Sequence, residues 1–190
     1  MSSPLLLILN GAILTVCAVS DFAFRTECLI GLMLFLPLLD KNWARPDLKL
    51  KSFNFVCWGI IAITGGALLL FNQNYTVAAI NTLAFAALPE EWFFRAYLMT
   101  QLNKVNTGVF FLTFKINNSQ RSFLLTNTIA SSLFALLHTH TQGWFGLMVF
   151  FPSLFYGWVY QRSKDLVLVI LLHGLSNIVF FIYFSEFMKI

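Results

Sequence analysis

The sequence predicts an all-α polytopic membrane protein of about seven transmembrane helices. Three observations carry that expectation. Of the 190 residues, 58% are hydrophobic and 11% charged, with a mean hydropathy of +0.77; a water-soluble domain carries about 25% charged residues. The apolar runs are parted by short polar joints. Nine of the 12 lysines and arginines fall in three of these joints, at 40–52, 103–121 and 161–165. Seven spans put those joints on one side, and the positive-inside rule makes that side cytoplasmic, with the N-terminus inside and the C-terminus outside.

The first span is expected over 4–20, ending before Asp21, Arg25 and Glu27. Residues 1–20 hold no lysine or arginine. They lack the charged start of a signal peptide and read as a retained span. The second span, 28–39, is short and is stopped by Pro37 and Asp40. A basic joint over 40–52 carries Lys41, Arg45, Lys49 and Lys51. The third span is expected over 53–71, with Gly65 and Gly66 as a close-packing or kink point. Asn72, Gln73 and Asn74 form a tight turn into the fourth span, 75–102. The next joint holds Lys104, Lys115 and Arg121, and its apolar patch at 109–114 is expected in the membrane interface. The remaining spans are expected over 122–140, 144–160 and 166–184.

The chain reads as a single membrane domain, 1–190, with no soluble module or linker. Its net charge of +4 fits basic flanks of membrane spans, and no basic run with interleaved aromatics suggests nucleic acid. Cys17, Cys28 and Cys57 form no CxxC pair and read as small buried hydrophobes. The bilayer and a membrane-associated protein or peptide are the expected partners.

Titratable residues inside apolar spans are the chemical signal, since a charge near the bilayer centre costs roughly 2.5–3.5 kcal/mol on insertion scales. They are Glu90, Glu91 and Arg95 in the fourth span, His138 in the fifth and His173 in the seventh, with Asn177 beside the last. Glu91 and Arg95 are four residues apart, so they share a helix face and can pair. Glu90 points about 100° away and is left free. Pro89 removes a backbone donor just before it. Phe134 and His138 share a face at the same spacing, as do His173 and Asn177. From the cytoplasmic span ends, a rise of about 1.5 Å per residue puts Glu90 roughly 18 Å, Asn177 roughly 16 Å, His138 roughly 24 Å and His173 roughly 10 Å deep. The four can share one layer.

Taken singly, each residue has a plainer reading. A membrane histidine is more often a helix–helix hydrogen bonder, and Glu91 with Arg95 alone suits a structural ion pair. The small polar residues Asn81, Thr82, Thr126, Asn127, Thr128, Ser131 and Ser132 read as packing groups. His140 is expected in the interface, and Asp21, Glu27, Asp40, Asp47, Asp165 and Glu186 in solvated joints. No GxSxG, HExxH, Walker or GxGxxG pattern occurs, so no serine is a convincing nucleophile. Together, a carboxylate, two imidazoles and an amide on three spans match the parts of acid/base hydrolysis with an oxyanion hole.

The ordered motifs EExxxR (Glu90 to Arg95), FxxxH (Phe134 to His138) and HxxxN (His173 to Asn177) resemble the CPBP superfamily of CAAX-protease and bacteriocin-processing membrane proteins, also called the Abi family. The resemblance covers roughly 75–184, leaving 1–74 as accessory spans. It implies a glutamic-type intramembrane endopeptidase acting near the end of a membrane-associated protein, without metal or cofactor. In it, Glu90 matches the base that activates water, assisted by His138. His173 and Asn177 match the oxyanion-stabilising pair, and Glu91 and Arg95 the supporting acid and base. The alternatives are a zinc protease with Glu90, His138 and His173 as ligands, a membrane immunity protein that sequesters a peptide, and a proton-coupled transporter. A short chain without further domains suggests a prokaryotic plasma membrane, crossed several times.

Overall fold

The computed structural model describes residues 3–48, 54–106 and 119–184, and among these the protein is all helical. The expected patch at 109–114, Lys49, Lys51, Lys115 and Glu186 lie outside the described residues. Helix α1 is Ser3–Val19, α2 is Arg25–Phe35 and α3 is Phe55–Phe71. A longer helical run, α4, covers 76–106. Then follow α5 (Ser119–Gln142), α6 (Phe150–Ser163) and α7 (Leu166–Tyr183).

The expected spans coincide with these helices, with differences that follow from backbone chemistry. The second span is only the 11 residues of α2 and then a 3-10 turn, Leu36–Leu39, in which Pro37 occupies an early position that needs no N–H donor. The sixth begins as the 3-10 segment Gly143–Val149 before α6. Gly65 does not kink α3. It faces Leu175 and Ile178 of α7, where an added Cβ would meet their Cδ1 atoms at 3.7 and 3.8 Å, so it is a packing position. The turn at Asn72 bends the chain by 114° between Phe55–Phe71 and the following run. Asp165 caps α7, its Oδ1 accepting the Leu168 N–H at 3.0 Å.

Length and composition make Leu166–Tyr183 one helix able to cross a membrane; Phe55–Phe71 with Gln73–Lys104 meets the same test as a bent pair, and Leu5–Val19 is a shorter apolar helix. The outside of the molecule is rich in apolar side chains, among them Ile8, Val16, Val56, Ile63, Leu70 and Phe71. Cys17 is buried, but Cys28 and Cys57 lie on this outer surface rather than inside.

The core gathers around α4. Pro89 does not break this run. Instead two π-helical segments, Leu83–Ala87 and Trp92–Met99, flank the α-helical turn Leu88–Glu91. Such widened segments are rare and tend to occur at functional sites. Every residue from Phe93 to Met99 is buried. The N-terminal part is tied to this face. Trp92 Nε1 donates to Leu34 O at 3.2 Å, Trp43 Nε1 to Ala96 O at 2.9 Å, and Asn10 Nδ2 to the Tyr97 hydroxyl at 2.9 Å.

Two acids expected in solvated joints are buried. Asp40 accepts from Gln101 Nε2 at 2.7 Å, and Asp165 accepts from Asn54 Nδ2 at 2.7 Å. Each carboxylate finds amide donors from another part of the chain, which offsets its loss of water.

Candidate active site

The fourth span supplies Glu90, Glu91 and Arg95 where α4 passes from its short α-helical turn into the second π segment. Arg95 Nε donates to Glu91 Oε2 at 2.9 Å, and both side chains have no exposed surface. The expected pair is therefore present. The rest of the guanidinium is also engaged: Nη2 donates to Ser153 Oγ at 2.6 Å, and the charge sits 5.7 Å from the Phe134 ring centre. A fully buried cation is tolerable only when its donors are used in this way.

His173 reaches the cluster from α7. Its Nδ1 lies 2.9 Å from Glu91 Oε1, and its Nε2 lies 3.7 Å from Glu90 Oε2. A carboxylate only accepts, so the Nδ1 carries a proton and donates it to Glu91. The imidazole therefore spans both glutamates. Gly174 allows the approach of α7 to α4: a Cβ there would sit 2.6 Å from Leu83 Cδ1, in the first π segment.

The spacing of Glu91 and Arg95 predicts their ion pair but not the His173 contact. Glu91 has one oxygen on Arg95 and the other on His173, so it orients the histidine as well as holding the arginine. Glu90 has 16% of its side chain exposed, against none for Glu91.

Phe134 links the two imidazoles, with ring centres 4.5 Å from His138 and 6.1 Å from His173. His138 Nδ1 donates to the Phe134 carbonyl at 2.9 Å, one turn back on α5. In the neutral ring this tautomer offers Nε2 as the acceptor. The His138 ring lies within electrostatic reach of Glu90. Asn177 is one turn beyond His173 on α7, half-buried. The structure thus joins Glu90, Glu91, Arg95 and His173 directly, sets Phe134 and His138 beside them, and leaves Asn177 adjacent without a bond to the four. Among the described residues no group of three or more His, Cys, Asp or Glu has a geometry suited to a metal ion. His140 lies apart, 3.2 Å from Asp21.

Two α6 residues go unremarked in the sequence reading. Ser153 is fully buried against Arg95, and Tyr156 stacks on His173 with ring centres 5.1 Å apart and 23° between planes. They stand three residues apart on an apolar helix, a face that their spacing alone could have flagged.

No curated protein and no solved structure matches the chain. The family described as type II CAAX prenyl endopeptidase Rce1-like matches residues 72–179, a stretch that holds all three motifs and the whole cluster. The family is one of membrane proteases with membrane-associated protein substrates. The chain belongs to this Rce1-like family.

Proposed function

We propose that the protein is a glutamic-type intramembrane endopeptidase that cuts a peptide bond near the C-terminus of a membrane-associated, prenylated protein. One observation carries this reading. Glu91 has both oxygens bonded to cationic or N–H partners, whereas Glu90 is partly open and faces His173 Nε2 at 3.7 Å. The first carboxylate is structural and orienting. The second is available to take a proton.

In the proposed reaction, water gives its proton to Glu90 while its oxygen attacks the scissile carbonyl carbon. His138 Nε2 accepts the water's second hydrogen bond, because Nδ1 is occupied by Phe134 O. The resulting oxyanion receives N–H groups from His173 and Asn177. Collapse breaks the C–N bond, and Glu90 returns its proton to the leaving amine. For His173 to donate from Nε2 while Nδ1–H is held by Glu91, the ring carries both protons. Arg95 and His173 then balance Glu90 and Glu91, so the buried set is neutral overall, which limits its desolvation cost.

An apolar cavity of about 680 Å³ lies along α4, lined by Leu88 and Trp92 on either side of the glutamates and by Leu34, Phe35, Ile170 and Leu171. Its lining suits the hydrocarbon chain of a prenylated substrate. The seven-span topology, cytoplasmic N-terminus and prokaryotic plasma membrane belong to the same reading; the apolar outer surface supports its lipid surroundings.

The test is a reconstituted protein and a farnesylated peptide ending in a CaaX sequence, followed by mass spectrometry. Wild type should release the C-terminal tripeptide, and Glu90→Gln should lose between roughly 10²- and 10⁴-fold of that rate with folding intact. An undiminished cleavage rate in Glu90→Gln would remove Glu90 as the base, and full biological function of Glu90→Gln in cells, without cleavage, would support sequestration or transport instead. Loss of wild-type activity on chelation, restored by zinc, would favour the metalloprotease reading. No cleavage of the peptide together with a wild-type-specific C-terminal truncation in membranes would move the substrate class and keep the chemistry.

A further inference from the structure

We infer that Tyr156 is a positioning residue for His173, so that α6 is a working wall of the site and not only a packing helix. The inference rests on the reading of His173 as an oxyanion donor, and it adds a residue outside all three motifs. His173 is pinned at one end, by Nδ1 to Glu91 at 2.9 Å. A ring held at one nitrogen still pivots about that bond, and any pivot swings Nε2 away from Glu90. Two aromatic rings oppose the pivot. Tyr156 lies nearly parallel to the imidazole, with centres 5.1 Å apart and planes 23° apart. Phe134 meets it edge-on, at 6.1 Å and 77°. A flat wall on one face and a perpendicular ring at another leave the observed plane, with Nε2 facing Glu90 at 3.7 Å.

Three further features make this more than filling. Tyr156 is 3% exposed, and its hydroxyl is in reach of Ser176, inside the same HxxxN motif. Ser176 Oγ gives its own proton to Leu172 O at 3.1 Å, which leaves it an acceptor for the phenol. Ser153, one turn earlier on the same face of α6, holds Arg95 at 2.6 Å. One face of α6 thus braces both basic members of the cluster. Gly157 lets α6 pack tightly on α5 and so fixes its position, since a Cβ there would collide with the Asn127 carboxamide of α5, whose Nδ2 donates to Leu154 O at 2.9 Å.

The test compares Tyr156→Phe, which keeps the ring, with Tyr156→Leu, which removes it. The protein has three histidines, so ¹⁵N-histidine NMR of the full chain in detergent resolves His173 once His138→Gln and His140→Gln have assigned the others. Tyr156→Phe should retain the Nδ1–H resonance of His173. Tyr156→Leu should shift, split or broaden it, with His140 unmoved. On the farnesylated peptide, Tyr156→Leu should lower kcat between roughly 10- and 100-fold with KM little changed. An unchanged His173 resonance in a folded Tyr156→Leu protein overturns the inference. If the leucine protein fails to fold, Tyr156→Met, which keeps much of the bulk without a flat ring, carries the same expected and the same overturning result. The NMR readout stands even if wild type leaves the peptide uncut, an outcome that counts against the peptidase reading alone.

Discussion

Glu90 and Glu91 are adjacent, share one chemistry and carry different burdens. Glu91 is wholly buried and saturated, with Arg95 on one oxygen and His173 on the other. Removing its charge strands a cation that has no exposed surface. Glu91→Gln should therefore destabilise the protein by about 3–5 kcal/mol, read as a drop in the midpoint of unfolding in detergent. The double variant Glu91→Leu with Arg95→Leu deletes the pair instead of breaking it. It should recover much of the lost stability while staying inactive, because His173 keeps no partner for Nδ1. An active Glu91→Gln protein of normal stability would refute this division of labour. Glu90→Gln is the converse case, an inactive protein with its unfolding midpoint preserved. Ion-pair spacing made half of this legible. The i,i+4 rule gives Glu91 to Arg95, but the histidine comes from a helix 82 residues away along the chain, and no local pattern encodes that approach.

At the level of elements, the helices and their order were legible because each apolar run is bounded by polar joints. The internal form of α4 was not. Pro89 signals a lost donor, but whether the chain kinks, breaks or widens depends on what packs around it. Here the widened segment Trp92–Met99 is gripped by the turn and joint after α2. Trp43 donates to Ala96 O, Gln101 donates to Asp40, and Lys104 reaches Asn42 O at 3.0 Å. The burial of Asp40 was equally hidden, since a carboxylate followed by Lys41, three residues after Pro37, reads as surface until Gln101 is seen to face it. These bonds make residues 36–43 a strap over the segment that carries Arg95. Trp43→Phe keeps the ring contacts with Trp92 and Tyr97 but leaves the Ala96 carbonyl without its donor. It should cost about 1–3 kcal/mol in unfolding measurements and reduce turnover through displacement of α4. A Trp43→Phe protein as stable as wild type would mean that the ring contacts alone hold the strap.

Across the whole molecule, three contacts between distant joints bear on how the chain crosses the bilayer. Seven spans put 40–52, 103–121 and 161–165 on one side, and the joints near 21 and 141 on the other. Lys104 meets Asn42 O, and Asn54, just beyond the first of these joints, meets Asp165 at 2.7 Å, so the basic joints gather at one end. At the other end His140 meets Asp21 at 3.2 Å, and Arg25 lies 3.7 Å from the same carboxylate. A single missed or added span between residues 21 and 165 would force at least one of these pairs to connect opposite faces of the membrane. The pairings support the proposed topology independently of the charge count, because they arise from geometry and not from composition. With Cys17, Cys28 and Cys57 replaced by alanine, Lys164→Cys and Thr141→Cys each place a thiol at an exposed site on one of the two ends. In intact cells a membrane-impermeant maleimide should label the residue-141 thiol. The residue-164 thiol should react only after the membrane is opened. Labelling of both in intact cells would overturn the seven-span arrangement, and the reverse pattern would invert it, placing the basic joints outside against the positive-inside rule.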